Sequence, residues 1–568
     1  MNLEFFRRKE FIWLIVIAVI FMALRLPAAH HPYHQDEYKW VLYSHPEIIP
    51  PGTVPHTPLT EFIYAKTLGP ALGDNNFRFI PIGFSLINLF LIFYLVKFLF
   101  DNQFDKLIAR KAAFWASFLF AISFYSVLAS TMVDVDGTVM PFFFLLTSIG
   151  YFKLRKHNFQ LSDGRWKWLT LIGISVIGGF LIKVVFAITV LPFIIDYAIE
   201  KNIFSDKKKM LKYLLYLFGG AIALVLILLG IKLIFPFFNL SKSFEYWKHF
   251  VVFEGRGWLQ TFIQFVKAVM YTSPLLVMPL FFTDREIFKK IRPFFIFIFT
   301  SSFFYLFAFD FSLGALDRYF QFLVVPLAII SGVIFAKVFN GFDFKRARKE
   351  FIFPIILSIV VFLFQFLNHF VPPHYPKTEW IKRIVSLKWN FLFPFSGGSG
   401  PIGFYVSFLF IVLIWILSII FVIFALRKKN IRKGALTAIL ILGILYNGVF
   451  IEEYLFGGIN GSSPKLVKES VEFIRNSPEV KKVIVYNDNG GWNVRETGKY
   501  ERRMYAVPQF EDEYKKVLNN FNGHILFIDI PRINPDSFYV EYMNSCKVVY
   551  KKVDKRISSK IYDCRKKI

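Results

Sequence analysis

The segment HHPYHQDEYKW, residues 30–40, places two adjacent carboxylates, Asp36 and Glu37, beside three histidines directly after a long apolar run. A carboxylate at such a position can accept a proton from a substrate hydroxyl. The histidines could instead bind a metal ion. A structural interpretation is also open, since Asp36 and Glu37 could cap a helix. The segment is therefore a candidate acid–base site, with its histidines unassigned.

Charged and polar groups also occur at the ends of later apolar runs, where they are costly and default to functional candidates. They are Asp134 and Asp136 in STMVDVDGTVMPFFF, Lys183 in FLIKVVF, and Arg318 and Tyr319 in LDRYFQFLVVP. Each has a simpler alternative. The aspartates could be turn and N-cap residues, and Lys183 could extend to the membrane interface. Arg318 could pair with Asp317 or Asp310.

Composition defines the elements that must position these groups. Of the 568 residues, 55% are hydrophobic, and the mean hydropathy is +0.49. Apolar runs near bilayer length recur along the chain, which indicates a polytopic α-helical membrane protein. The initial apolar run lacks a small-residue cleavage site, so we interpret it as a retained helix and not as a signal peptide.

By the 20-residue criterion we predict about thirteen transmembrane helices. The predicted spans lie near residues 11–27, 77–99, 112–130, 138–152, 168–183, 184–199, 213–235, 268–283, 293–309, 320–337, 351–371, 401–426 and 434–455. The runs between 138 and 199 are short, so the number of spans there is left open.

The net charge of +27 would suggest nucleic acid in a soluble protein, but here it follows the loops. Alternate loops carry basic clusters, beginning with Arg7, Arg8 and Lys9, which predicts that they are cytoplasmic. Topology therefore explains the charge, and we predict no nucleic-acid partner. The predicted orientation, in the plasma membrane, has a cytoplasmic N-terminus and an extracytoplasmic first loop at 28–76. An odd number of spans would place the C-terminal segment on that same outer side.

The C-terminal segment, 456–568, is not membrane-like and is predicted to form a small α/β domain. PKLVKESVEFIRNS has the pattern of an amphipathic helix, and KKVIVYN and HILFID have the pattern of strands. Cys546 and Cys564 flank a possible hairpin and would form a disulfide outside the cytoplasm, with two free thiols as the alternative. The polar loop 486–498 could contact a glycan through Trp492, or it could be an ordinary surface loop.

On this topology the candidate acids and cations converge on one membrane face. Such an arrangement suits a reaction on a lipid-borne anionic substrate, in which cations hold a phosphate and a carboxylate accepts a proton from an incoming hydroxyl. We predict no obligatory cofactor, although paired acids leave a divalent metal open and its ligands unknown.

The order of motifs resembles the dolichyl-phosphate-mannose protein mannosyltransferases and aminoarabinose transferases of the GT-C glycosyltransferase superfamily. The resemblance lies in the Asp36–Glu37 pair, HTPL (56–59), GDNNFRFIPIGF (73–84) and the later segments that carry Asp136, Lys183 and Arg318. It covers residues 1–340. Thr57 and Ile182 depart from the pattern, which has Pro and Thr at those positions, and this leaves the subfamily open.

The resemblance implies an inverting transfer of a sugar from a polyprenyl-phosphate carrier to an acceptor hydroxyl, on a protein or a glycolipid, outside the cytoplasm. Asp36 would be the general base and Glu37 its assistant. Asp136, with Asp134 beside it, matches the acid of the fourth span. The residues expected to contact the carrier or substrate are His56, Asp134, Asp136, Lys183, Arg318 and Tyr319.

Two other functions compete with this one. A transporter or flippase of a lipid-linked sugar would show internal repeats and charges near the midplane of the bilayer, and neither is evident. A membrane scaffold that displays the C-terminal domain leaves the convergence of polar groups unexplained. The predicted architecture is therefore a transmembrane glycosyltransferase domain over 1–455 with an extracytoplasmic α/β domain over 456–568.

Overall fold

The structure is a computed structural model, and it divides into two compact units that are described separately. It describes residues 9–48, 58–101, 106–160, 164–234, 245, 257–308, 316–340, 348–367, 369–376, 378–395 and 402–565. The first unit comprises Met1–Arg25, Trp40–Asp343 and Ala425–Leu436, and the second comprises Leu26–Lys39, Phe344–Phe424 and Thr437–Ile568.

Each predicted apolar segment contains a helix. Over the first part of the chain these helices are Lys9–Ala23, Phe79–Phe100, Lys106–Ile122, Phe124–Ser130, Val139–Lys156, Trp166–Ile182, Ala187–Glu200 and Lys207–Ile234. They continue with Trp258–Tyr271, Pro274–Val277, Arg285–Phe307, Val324–Val338, Arg348–Leu363, Phe408–Arg427 and Arg432–Leu455. Among the described residues, seven helices are long and apolar enough to cross a membrane, or nine if each of two bent pairs is one span. The chain is an integral membrane protein.

Breaks between helices position the candidate residues of the first unit. The Lys106–Ile122 and Phe124–Ser130 helices meet at 65°, because Ser123 has an extended backbone between them. The second of these helices leads into the turn that carries Asp134 and Asp136. The short helix Leu316–Tyr319 similarly precedes the long helix Val324–Val338. Polar side chains therefore lie where regular helix gives way to a turn.

The region 28–76 contains short helices. They are Asp36–Tyr43, Pro58–Glu61 and Leu68–Leu72, with a π-helical turn over Phe62–Thr67. The first begins with Asp36 and Glu37, where negative charge is favourable at a helix N-terminus.

The predicted span 401–426 begins later than expected. Strands β1 (Leu392–Phe395) and β2 (Phe404–Ser407) pair antiparallel, and the helix starts only at Phe408. The hydrophobic run continues through β2 without a break, so apolar content alone could not separate the strand from the helix.

The C-terminal segment forms the predicted α/β domain. Its strands are β3 (Val483–Tyr486), β4 (Tyr500–Met504), β5 (His524–Ile528), β6 (Lys547–Asp554) and β7 (Ile557–Asp563). They form one sheet in the order β4-β3-β5-β7-β6, in which β3 is parallel to β4 and β5, and β7 is antiparallel to β5 and β6. The domain also contains helices Ser463–Asn476, Gly491–Glu496, Glu511–Asn519 and Phe538–Asn544.

Both faces of this sheet are covered, as the alternation of its strands requires. Val483 and Val485 pack with helix Ser463–Asn476 on one face. Ile484 and Tyr486 pack on the other face, with residues of the helices Glu511–Asn519 and Phe538–Asn544. Cys546 and Cys564 are joined by a disulfide at the base of the β6–β7 hairpin. The result is a three-layered α/β/α domain.

Candidate active site

Four charged side chains from three distant stretches of the first unit form one cluster. Lys183 Nζ donates to both oxygens of Asp136, each at 2.7 Å. Arg318 Nε donates to Asp134 and lies 4.0 Å from an oxygen of Asp136. Both carboxylates are almost fully buried, and the two cations retain 17% and 14% side-chain exposure. The sequence-predicted residues Asp134, Asp136, Lys183 and Arg318 are thus brought together.

Lys183 projects from an interruption in the polypeptide. Helix Trp166–Ile182 ends immediately before it, and its own backbone is extended. The carbonyl of Ile182 accepts a hydrogen bond of 2.7 Å from the Thr60 hydroxyl. A helix end leaves carbonyls without helical partners, and a side chain can satisfy them. Thr60, close to the HTPL motif, therefore supports the segment that carries Lys183.

Aromatic side chains border the cluster. The ring of Tyr319 lies under Lys183 Nζ, with 4.6 Å between the nitrogen and the ring centroid. The Tyr64 hydroxyl donates to the backbone carbonyl of Asp134 at 2.8 Å. Trp40 packs against Tyr64, with ring centroids 5.2 Å apart. Tyr319 was expected from the sequence, whereas Tyr64 and Trp40 are isolated aromatic residues with no motif to mark them.

Arg318 has a partner that is distant in the sequence, since it pairs with Asp134, 184 positions away. The pairing with Asp317 or Asp310 that the sequence also allowed is not tested. Residue 310 and the side chain of Asp317 lie outside the described residues. His56 also lies outside them, so the contact of His56 with the carrier remains a prediction. Two carboxylates and two cations leave the cluster close to electrically neutral.

Asp36 and Glu37 lie in the second unit and have different surroundings. The Glu37 carboxylate is buried and accepts the backbone N–H of His34 at 3.0 Å, which stabilises the start of the helix Asp36–Tyr43. The Asp36 carboxylate is 32% exposed and pairs with Lys39 one turn later. Of the two acids, Asp36 is the one that an incoming hydroxyl can reach. Glu37 has the capping contact that was weighed as an alternative.

The loop after β3 holds the segment that carries Asp36. The Tyr38 hydroxyl donates to Asp488 at 2.6 Å. His34 Nε2 donates to the Asn487 carbonyl at 2.9 Å. Trp492 packs on the rings of Tyr33 and Tyr38, each with a centroid distance of 6.3 Å.

This result corrects both interpretations of the 486–498 loop. Trp492 is neither a surface residue nor available to a glycan, because it is only 6% exposed and covers the 33–38 segment. The other contacts of the loop, Asn487 and Asp488, were not anticipated. Their only signal in the sequence is the polar, glycine-rich character of YNDNGGW, which is typical of many turns.

No site for a metal is evident in the part of the chain that the structure describes, since no three His, Cys, Asp or Glu side chains come together there in a way that could hold an ion. The described histidines of the first loop have other contacts. His45, for example, lies 2.9 Å from Glu47 and 3.0 Å from Asp74.

The fold and the charged cluster together define a membrane protein with a polar site at the ends of its helices. Residues 56–231 match the family model described as dolichyl-phosphate-mannose-protein mannosyltransferase. No curated protein matches the chain by sequence. The family match and the fold together indicate a membrane glycosyltransferase of the GT-C superfamily.

Solved structures resemble the chain over almost its whole length. ArnT from Cupriavidus metallidurans bound to undecaprenyl phosphate has a TM-score of 0.52 at 12% identity, and the match covers 97% of each chain. The apo form of that protein gives 0.49 at 13% identity, also over 97% of each chain. The oligosaccharyltransferase AglB from Archaeoglobus fulgidus, in complex with an inhibitory peptide and a dolichol-phosphate, gives 0.45 at 13% identity over 92% of this chain and 69% of its own.

Proposed function

We propose that the protein transfers a sugar from a polyprenyl-phosphate carrier to an acceptor hydroxyl on the extracytoplasmic face of the plasma membrane, with inversion at the sugar. The observation that carries this proposal is the convergence of Lys183 and Arg318 beside Asp134 and Asp136. ArnT, whose fold the chain resembles, is described as bound to undecaprenyl phosphate, and a phosphate of that kind is the leaving group here.

In this mechanism Asp36 is the general base. Its carboxylate takes the proton of the acceptor hydroxyl as the oxygen attacks C1 of the sugar, and the bond from C1 to the carrier phosphate breaks on the opposite side. A positioned base is worth about 10²- to 10⁴-fold in rate. The partial exposure of Asp36 supports this role, whereas the capping contact of Glu37 assigns that residue to holding the helix.

Lys183 and Arg318 bind the departing phosphate, because fixed cations stabilise the charge that develops there. Asp134 and Asp136 orient these cations and balance their charge before the donor binds. Donor binding then adds negative charge that both cations can share. His56 would add a third contact, and the acceptor is a protein or a glycolipid.

The test is transfer by the full chain in proteoliposomes. The donors are undecaprenyl-phosphate monosaccharides labelled in the sugar, and the acceptor is an envelope extract of the source cells. We expect labelled acceptor and released undecaprenyl phosphate from the wild type. Asp36→Asn should lower the rate at least about 100-fold, whereas Glu47→Gln, an exposed carboxylate of the same loop, should leave it unchanged.

Two results would refute the proposal. Unchanged transfer by Asp36→Asn removes the base assignment. Movement of labelled lipid across the bilayer without release of its sugar favours the alternative function, a flippase of a lipid-linked sugar. The anomeric configuration of the product, measured by NMR, tests inversion separately.

A further inference from the structure

A second polar region lies at the other end of the Val139–Lys156 helix from Asp134 and Asp136. There, the ends of four helices of the first unit surround a cavity of about 400 Å³. The helix between the two regions has 18 residues, which is about 27 Å at 1.5 Å per residue. The cavity is therefore separate from the proposed reaction site. Its lining consists of Phe98, Leu99, Phe152, Arg155, Lys156, Glu200, Glu286, Lys289 and Lys290.

The charged residues of the lining are unbalanced in favour of cations. Glu200 is already engaged by Arg155 at 3.0 Å and by Arg292 at 3.1 Å. Arg292 also pairs with the buried Asp196. The lining as a whole carries four cations, Arg155, Lys156, Lys289 and Lys290, against two carboxylates, Glu200 and Glu286. A ligand with one or more negative charges would complement this excess.

The apolar part of the lining distinguishes between a free anion and a lipid. Phe98, Leu99 and Phe152 offer hydrocarbon contact that a small hydrated anion does not need. Lys156 Nζ lies 5.4 Å from the centre of the Phe98 ring, and Lys290 Nζ lies 4.5 Å from that of Phe100. The ammonium groups thus adjoin apolar surface at the ends of membrane helices, where basic pockets bind lipid headgroups.

We propose that this cavity binds the headgroup of an anionic glycerophospholipid. Lys156, Lys289 and Lys290 hold its phosphate, and the glycerol and the first carbons of its acyl chains lie against Phe98 and Phe152. The site takes no part in sugar transfer. It would instead tie the ends of the Phe79–Phe100, Val139–Lys156, Ala187–Glu200 and Arg285–Phe307 helices to one leaflet, so its test is independent of the catalytic proposal.

The test measures lipid binding to the purified full chain by native mass spectrometry, with phosphatidylglycerol and phosphatidylcholine as probes. We expect a clear preference for phosphatidylglycerol and a loss of affinity of about tenfold or more in the triple variant Lys156→Gln, Lys289→Gln, Lys290→Gln. The matched control is Lys207→Gln, Lys208→Gln, Lys209→Gln, which removes the same charge from another helix end and should bind as the wild type does.

The triple variant should remain folded, because the backbone carbonyls of Lys289 and Lys290, which accept from Arg155, are unchanged by the substitutions. Replacement of the three lysines by arginine should preserve binding. The proposal is overturned by equal binding of the two lipids or by equal loss in both triple variants. It is also overturned if glycerol 3-phosphate competes as well as the intact lipid, since the ligand would then be a free phosphate.

Discussion

Tyr38 and Asp488, 450 positions apart in the sequence, are joined by a hydrogen bond of 2.6 Å in which the tyrosine hydroxyl donates. The second oxygen of Asp488 accepts the hydroxyl of Tyr500 at 3.3 Å. Burial, reinforced by the charge of Asp488, raises the pKa of Tyr38, so its hydroxyl stays protonated and remains a donor. Asp36 lies two residues before Tyr38, which means that the C-terminal domain fixes the backbone of the proposed base.

Tyr38→Phe should therefore slow transfer without removing any group from the reaction. A hydrogen bond to a charged partner is worth about 1.5–3 kcal/mol, and its loss loosens the segment that carries Asp36. We expect a lower kcat with unchanged binding of undecaprenyl phosphate. Tyr514→Phe is the control, since its hydroxyl donates to the Arg503 carbonyl in the same domain. Wild-type kcat in Tyr38→Phe would contradict the positioning role.

Gly491→Ala should disturb the same contact from the other side. A Cβ at this position would lie 2.0 Å from Asp488 Oδ1 and 3.3 Å from the Tyr500 ring, so the carboxylate must move. We expect reduced transfer, together with faster hydrogen exchange in residues 33–38. Gly448→Ala, where a Cβ meets nothing within 4 Å, should change neither quantity. Hydrogen exchange at the wild-type rate in residues 33–38 of Gly491→Ala would show that Asp488 does not hold this segment.

The Lys183–Asp136 pair should behave as a buried ion pair in a double-mutant cycle. Removing one partner leaves a buried charge uncompensated, which costs about 3–5 kcal/mol. Lys183→Met and Asp136→Asn should each lower the thermal stability of the purified protein, and the double variant should lose less than the sum. Lys337→Met removes the partner of Asp284 in a pair that is about 40% exposed, and should cost less than about 1 kcal/mol. Additive losses at 183 and 136 would mean that the pair is not coupled.

His524 should make the C-terminal domain sensitive to acid. Burial lowers the pKa of this histidine below its usual 6.5, although the charge of Asp563 partly opposes the shift. Below pH 6.5 the unfolded chain binds a proton that the folded chain does not. The free energy of unfolding therefore has its full value above pH 6.5 and decreases as the pH drops. His524→Gln should flatten thermal melts between pH 7 and 5, and His157→Gln, which changes an exposed histidine, should not. An unchanged slope in His524→Gln would exclude this residue as the cause.

The Cys546–Cys564 disulfide should stabilise the β6–β7 hairpin. The two residues are 18 positions apart, and closing a loop of that size contributes about 3 kcal/mol. Cys546→Ser with Cys564→Ser should lower the midpoint of unfolding of the domain. Neither cysteine should be alkylated in non-reduced, unfolded protein from an oxidising compartment, and alkylation of both would show that the bond is not formed in the cell.

The sequence was sufficient for those features that depend on local patterns. Apolar runs predicted the membrane helices, the amphipathic pattern predicted the helix 463–476, and strand-like patterns predicted β3 and β5. The junction at Lys183 followed from an interruption of the apolar pattern. The strand β2 was missed, because its four buried residues continue into a helix that is equally apolar.

The partners of the site residues could not be predicted, since they are joined by contacts between distant parts of the chain. Arg318 and Asp134 pair across 184 positions, and nothing near either residue encodes that choice. The same holds for Asp488, which accepts a hydrogen bond from Tyr38, 450 positions earlier in the chain. A charged residue in an apolar segment indicates that a partner is required, but the sequence does not identify that partner.

The hydrogen bond between His34 and Asn487, 453 positions later, also limits the order in which the fold can assemble during synthesis. At 5–20 residues per second, roughly 20 to 90 seconds separate the translation of these two residues. During that interval the helices between them are made and inserted, while the segment around Asp36 lacks its final support. The proposed base therefore reaches its working geometry only at the end of biogenesis, so a nascent or truncated chain is held inactive by the timing of its own assembly.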